Sequence, residues 1–412
     1  MNVNNKLAID GGPAVRGELL PLVRVSFDNR EMQQVQSVFE AGVFCSVSPQ
    51  ATKVKTLEAA FARYVGSKHA VAFSSGATAQ HASLAALGIG PGDEVVVPPL
   101  TFISTAYTVL IQGGTVVFAD VDDSTFNLAP ASVRQKITAR TRAIVPVHWF
   151  GHPVDMDPLL TLAEEHNLDV IEDCAHAYGT VYRGRKAGTM GAMACWSLQE
   201  SKLITAAGEG GMLTTDDDRL ADHARMIRGH GKSQAGPADR EGYEIVALGN
   251  NYRMTEIQAA FALAQLEKID EFRSKRRAHA EHLDAALHNV PGLRRPTPDA
   301  DVVLSFAYYP IRFVRGDFRV GLERISKALA AEGIETYPIA RDEMCHVHPL
   351  FTERSVPGGP RYGPGTLPVA ERIAEELLIL PLYPDLTRKD LDDVIAAVKK
   401  VAGAYAVVPE GR

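Results

Sequence analysis

Four segments combine residue types that chemistry needs. In CWSLQESKLITAAGEGGMLTT (195–215), Lys202 is flanked by the small and apolar Leu203, Ile204, Ala206 and Ala207, a setting that makes a lysine amine nucleophilic. LDVIEDCAHAYG (168–179) ends an apolar run on the acids Glu172 and Asp173, and Asp173 could hold a proton on a ligand nitrogen. FSSGATAQ (73–80) joins a strand-like run to a helix-like one through Ser-Ser-Gly, and the exposed amides of such a helix start bind anions. LGNNYRMTEIQAA (248–260) is a polar turn with Asn250, Asn251 and Arg253 at the mouth of a helix. Each has a plainer reading: a solvated lysine, a helix cap or ion pair for Asp173, an ordinary strand-to-helix turn, a second cap. Together they meet one requirement. A Schiff-base lysine, an aspartate for a pyridinium nitrogen and a phosphate site are what pyridoxal phosphate chemistry uses.

The elements that must position these residues are legible as pattern. HAVAF (69–73), EVVVP (94–98), TVVFADV (115–121), RAIVPVH (142–148) and LDVIED (168–173) are short apolar runs separated by helix-like segments. Such runs are strands of a mostly parallel sheet covered on both faces, so the class is α/β. Residues 254–283 carry no Gly or Pro and keep apolar residues three or four apart, which predicts one long helix. The Pro- and charge-rich 291–303 stretch reads as a connection. Beyond it lie a strand-like SFAYYPIRFV (305–314), a helix near 319–332 and a terminal helix around 387–402. The expectation is a large domain over 1–270, with the long helix bridging, and a smaller α+β domain over 271–412.

Other chemistries are set aside by spacing. GIGPGD (88–93) lacks the G-x-G-x-x-G spacing and precedes its strand, so it is a turn. GHGKS (229–233) has Met226 where a phosphate loop needs its first glycine. Cys345-His346-x-His348 has no partner cluster at zinc spacing, and no metal site is expected; Cys174 reads as a small buried residue. With 43 Lys and Arg against 50 Asp and Glu, the net charge is −7, and no overall field draws the chain to nucleic acid or anionic membrane. Four scattered cysteines do not build a disulfide framework. Without a secretory n- and h-region or a membrane-length apolar run, a soluble cytoplasmic protein is expected.

The ordered set SSGATAQ, PPLTFISTA, VPVHWFGHPVDMD, EDCAHAYG, SLQESK followed by GEGG, and GNNYRMTEIQAA resembles the DegT/DnrJ/EryC1/StrS aminotransferases. The resemblance runs from LAIDGGPAV to the end and is strongest between about 70 and 265. It implies a fold-type-I enzyme of the aspartate aminotransferase superfamily, with pyridoxal 5′-phosphate as cofactor. Lys202 matches the Schiff-base lysine, Asp173 the partner of the ring nitrogen, and His176 the residue beside the phenolic oxygen. Phe102 matches the aromatic that stacks on the ring. Gly76, Ala77 and Ser197 match the phosphate cradle, with Thr78 and Gln199 in the same set. Ala77 departs from the Thr or Ser of many members, which puts one phosphate contact in doubt. Asn251 matches an asparagine that reaches the cofactor phosphate of the partner subunit, which implies a homodimer with shared active sites.

The same resemblance implies a ping-pong transamination. An amino donor, glutamine or glutamate, passes its amino group through the cofactor to a keto-sugar or keto-cyclitol, in aminosugar, aminocyclitol or antibiotic biosynthesis. The wording of EDCAHAYG, SLQESK and LAIDGGPAV is closest to the subgroup acting on inosose-type cyclitols with glutamine as donor. Acceptor pockets of such enzymes are lined by loops, here 25–50, 230–248 and 340–362. Two alternatives stay open: a sugar dehydratase, against which the retained lysine argues, and a non-catalytic regulatory or binding protein on the same fold.

Overall fold

The computed structural model describes residues 6–233, 243–296, 298–339, 344–353 and 360–407. The helices α1 (Asn29–Ala41) and α2 (Lys53–Val65) precede strand β1 (His69–Phe73). The chain then alternates through α3 (Gly76–Ala86), β2 (Glu94–Val97), α4 (Ser104–Ile111), β3 (Thr115–Phe118), α5 (Pro130–Lys136) and β4 (Thr141–Ile144). Next come α6 (Met156–Glu165), β5 (Asp169–Asp173) and a short hairpin of β6 (Val181–Tyr182) and β7 (Arg185–Lys186). β8 (Met193–Ser197), β9 (Gly211–Thr215) and α7 (Asp218–Arg228) complete this part, and α8 (Glu256–Glu267) and α9 (Ile269–Leu287) lead out of it. The remainder holds β10 (Leu293–Arg294), β11 (Val302–Val303), β12 (Tyr309–Phe313), α10 (Leu322–Ala331), β13 (Tyr337–Pro338) and α11 (Pro349–Thr352). It ends with α12 (Pro368–Glu376), β14 (Leu377–Leu380) and α13 (Arg388–Tyr405).

Seven strands form the main sheet in the order β1-β9-β8-β5-β4-β2-β3. β9 runs antiparallel to both neighbours, and the pairs β8–β5, β5–β4, β4–β2 and β2–β3 are parallel. Six strands therefore bring their carboxyl ends to one edge, where open α/β sheets keep ligand crevices. Both faces are covered, as side-chain alternation shows. Val71, Phe73, Val95, Val97 and Leu213 pack into one apolar layer, whereas Ala70, Ala72, Trp196 and Met212 pack into another on the opposite face.

The segment expected as one long helix is two. α8 ends at Glu267 and α9 starts at Ile269, with Lys268 between them at φ −98°, ψ 0°. Neither Gly nor Pro causes the break. The Lys268 side chain, 2% exposed, is drawn inward to Glu31 and, at 3.4 Å, to Asp28, which caps α1. Its backbone N–H bonds Gln265 three residues back (3.1 Å), a 3₁₀-type closure that ends the first helix.

The C-terminal part has a four-stranded sheet, β10-β12-β14-β13, and an apolar core of its own. Leu7 and Leu20 pack into that core. Glu332 pins the same N-terminal segment, accepting from the amides of Ala8 (2.8 Å) and Val15 (3.1 Å). Among the described residues, no helix is long and apolar enough to cross a membrane.

Candidate active site

The turn after β1 is shaped by what crosses it. Phe73 and Ser197 both pair in register with Gly211, so the ends of β1 and β8 flank the start of β9. A Cβ on Gly211 would lie 2.2 Å from the Ser75 carbonyl oxygen, and one on Gly76 would lie 3.0 Å from Ser197 Cβ. The glycines let three backbones meet at the sheet edge. Ser75 then caps α3: its hydroxyl accepts from Thr78 N–H at 3.2 Å, and Thr78 Oγ1 accepts from Ser75 N–H at 3.0 Å. Thr78 is thus spent on the cap, while the amides of Gly76 and Ala77 donate to no partner among the described residues and can receive an anion.

Asp173 ends β5 beside this turn, fully enclosed. Its Oδ1 accepts from Ala175 N–H (3.0 Å), and its Oδ2 accepts from Thr105 Oγ1 (3.0 Å) and from the Gln80 side-chain amide. Burial pushes its carboxyl above the usual range, against the pull of those donors and of the Lys202 and His148 charges.

Lys202 follows β8, and its Nζ lies 2.9 Å from His176 Nε2. The opposite ring nitrogen, Nδ1, accepts from Phe150 N–H at 3.3 Å. That bond puts the ring hydrogen on Nε2, facing the lysine. Phe150 reaches this position with φ +57°, a left-handed conformation that a non-glycine residue adopts at a cost. Ser305 fixes the other side by donating to the His176 carbonyl at 2.5 Å. Burial first, and then the charge of Lys202, holds the imidazole well below its ordinary pKa. Tyr308 closes the roof: its hydroxyl is 2.9 Å from Ser201 Oγ, and its ring centroid is 5.7 Å from Lys202 Nζ.

The other residues singled out by sequence are placed less uniformly. Phe102 is 60% exposed at the turn into α4, one helical turn from Thr105, to which its carbonyl is bonded. Ser197 lies against Gly76, and its carbonyl accepts from Tyr178 OH (2.6 Å). Gln199 turns its side-chain oxygen onto Ser201, accepting from N–H (2.8 Å) and Oγ (2.6 Å), so that atom serves its own turn. Asn251 is exposed and does not cap α8, because Thr255 does so through a capping box with Gln258. The capping reading of Asn251 is therefore corrected. Cys345 and His346 are buried, and His346 Nε2 meets Glu371 at 3.0 Å. Residues 234–242, 340–343 and 354–359 of the acceptor-pocket loops lie outside the described residues.

Glu172, next to Asp173, has a different role. One oxygen meets His148 Nε2 (2.9 Å) and Gly188 N–H (2.8 Å), and the other meets Met190 N–H (2.7 Å) and Gly191 N–H (2.8 Å). His148, Glu172 and Cys174 lie close enough together to suggest ligands, but this carboxylate is saturated by protein donors.

Comparison with known proteins speaks to the same arrangement. The profile of the DegT/DnrJ/EryC1/StrS aminotransferase family matches residues 25–399. GDP-perosamine synthase of Caulobacter vibrioides is 40% identical, over 93% of this chain and 99% of that protein. The chain belongs to the DegT/DnrJ/EryC1/StrS aminotransferase family. Spore coat polysaccharide biosynthesis protein SpsC of Bacillus subtilis is 37% identical, over 94% of this chain and 98% of its own. Among solved structures, an aminotransferase from Psychrobacter cryohalolentis superposes with a TM-score of 0.86 at 31% identity, covering 93% of this chain and 100% of that one. DesV of S. venezuelae, in complex with a ketimine intermediate, superposes at 0.83 with 33% identity, covering 93% and 99%.

This is a family of pyridoxal phosphate-dependent sugar aminotransferases, and the fold is of type I. The donor set fits the cofactor. A lysine amine, a buried acid and two unspent helix amides with a tight glycine approach converge at one sheet edge. Sequence reasoning missed Gln80, Thr105 and Tyr308. Gln80 stands four residues after Gly76 on the same helix, a faint signal; Tyr308 arrives from the C-terminal part and leaves none.

Proposed function

We propose that this chain moves an amino group from glutamine or glutamate to a keto-sugar, nucleotide-linked or free, or to a scyllo-inosose-like keto-cyclitol, in aminosugar, aminocyclitol or antibiotic biosynthesis. Lys202, Asp173 and His176 are its catalytic residues. Gly76, Ala77, Thr78, Phe102, Ser197, Gln199 and Asn251 complete the cofactor site. The observation that carries the reading is the Lys202 amine, 2.9 Å from His176 Nε2, on the sheet edge that also holds Asp173 and the free amides of α3. A homodimer with shared sites, a cytoplasmic location and a division near residue 270 belong to the same reading.

Pyridoxal phosphate, when bound, supplies an electron sink for the pair left by the donor's α-carbon proton. The chain supplies the rest. Lys202 would hold the cofactor and, as a free amine, would take up and return the donor's proton. With its hydrogen on Nε2, His176 donates to Lys202 Nζ when that nitrogen is an uncharged amine, and, held neutral by burial, it adds no charge of its own there. Asp173, as a carboxylate, holds a proton on the ring nitrogen. The α3 amides would bind phosphate, and the Trp149, Phe150, His176 and Tyr308 rings pack against one another beside Lys202.

Purified protein supplied with pyridoxal phosphate should be yellow. The band should bleach with glutamine or glutamate and return with a keto-sugar or keto-cyclitol. No bleaching with any amino donor would sink the transaminase reading for this chain.

A further inference from the structure

Gln80 sits one turn into α3, the helix whose first amides face the anion site. It is 6% exposed, among the buried Ala79, Ala82 and Leu84. Its amide nitrogen donates to Asp173 Oδ2, and its Oε1 is buried with no partner among the described residues. An orphaned carbonyl in a core is costly, and an aliphatic side chain of equal length would avoid it. Packing therefore gives no reason for a glutamine here; the bond to Asp173 does. Thr105, from α4, donates to the same oxygen at 3.0 Å and is backed by Thr101 at 2.9 Å. Oδ2 then has both lone pairs engaged, while Oδ1, with Ala175 N–H alone, keeps one open.

We propose that Gln80 is a positioning residue that keeps Asp173 in its carboxylate form and leaves Oδ1 open for the protonated ring nitrogen of bound pyridoxal phosphate. The inference rests on the reading that Asp173 is the partner of that nitrogen. A donor amide stabilises the anion more than the acid. Without it, the proton shared between acid and ring moves toward Asp173, and the ring becomes a poorer electron sink. One helix thereby couples phosphate binding, at its first turn, to the state of the ring, at its second.

Gln80→Met keeps length and packing and deletes the donor; Thr105→Val removes the second donor from another helix. The first measurement is the Asp173 titration in cofactor-free protein, by carbon-13 NMR of labelled aspartate, assigned with Asp173→Asn. The other groups that act on Asp173 are Lys202, His148 with its partner Glu172, and the buried thiols Cys174 and Cys195, all unchanged in both variants. Loss of one charge-assisted bond should raise the Asp173 midpoint by about one pH unit, roughly tenfold in ionisation. The second measurement is the nitrogen-15 shift of ring-labelled pyridoxal phosphate in the holoprotein, which should move toward the unprotonated position in both variants. An Asp173 midpoint unmoved in Gln80→Met overturns the role of Gln80, whatever Thr105→Val does. A midpoint that rises while the ring nitrogen keeps its shift overturns the premise that Asp173 is the ring's partner.

Discussion

A lysine nitrogen 2.9 Å from a neutral imidazole, beside the Tyr308 ring, is placed to act as a nucleophile rather than to stay in an ion pair. Lys202→Ala should fold, form no covalent link to cofactor, and lose at least about 1000-fold in turnover, within the range for loss of a proton-transfer group. Borohydride should label wild type on Lys202 and leave the variant unlabelled; label on another lysine would move the assignment. Asp173 divides function from stability. Relief of the buried charge in Asp173→Asn is offset by an N–H₂ group turned toward a donor that needs an acceptor, so the variant should melt close to the wild-type temperature while turnover falls on the order of 100-fold or more. Near-normal turnover in that variant would refute the ring-nitrogen role. His176 brings a pH dependence whose sign is fixed. Its folded pKa lies well below the ordinary value near 6.5, so below that pH the unfolded chain binds more protons and native stability falls. His176→Gln lacks this proton. Its melting temperature should therefore decline less than that of wild type between pH 7 and pH 5, and parallel declines would show that the imidazole is not buried neutral.

At the scale of elements, the turns at the sheet edge were legible because each is a local rule: Ser-Ser-Gly between a strand-like and a helix-like run, a glycine-rich turn into β9, acids at the end of an apolar strand. What was not legible depends on residues far apart in sequence. The break between α8 and α9 answers to Asp28 and Glu31, more than 230 residues earlier, and nothing within 254–283 announces it. Tyr308 and Ser305 reach the site from the C-terminal part for the same reason. The start of α2 is a further case, since Thr52 contributes no side-chain cap. Glu256, 2% exposed at the first turn of α8, accepts instead from the amides of Thr52 (2.8 Å), Lys53 (2.7 Å) and Val54 (3.0 Å). A glutamine there would turn an N–H₂ group toward amides that need an acceptor. Glu256→Gln should therefore cost about 1–3 kcal/mol in urea unfolding and speed amide exchange at the start of α2 before it does so elsewhere. Unchanged exchange at Thr52–Val54 would show that the carboxylate is not their cap.

At the scale of the whole molecule, the proposed homodimer turns on one exposed residue. Asn251 stands exposed in a turn whose next residue, Tyr252, accepts from Ser74 N–H at 2.8 Å, just before the anion-binding turn of the same chain. Since Thr255 caps α8, Asn251 has no helix-capping duty, and among the described residues its side-chain oxygen reaches only Arg253 N–H at 3.4 Å. Large apolar side chains are also exposed on α1 and in the turn after it: Met32, Phe39, Phe44 and Val47, with Phe39 and Phe44 packed edge to face at 5.5 Å. A second copy would cover such residues. The family resemblance then assigns Asn251 to the phosphate of the partner's cofactor. In that arrangement, each active site takes its lysine from one chain and its asparagine from the other. Chains carrying Lys202→Ala, mixed with chains carrying Asn251→Asp, would form hybrids in which one site has both defects and the other has neither. With random exchange half the dimers are hybrids, so equal mixing should restore about a quarter of wild-type activity from two nearly inactive parents. Exchange verified by mass, with no recovery, would mean that each chain completes its own site. The exposed turn at Asn251 would then have to serve something other than the cofactor.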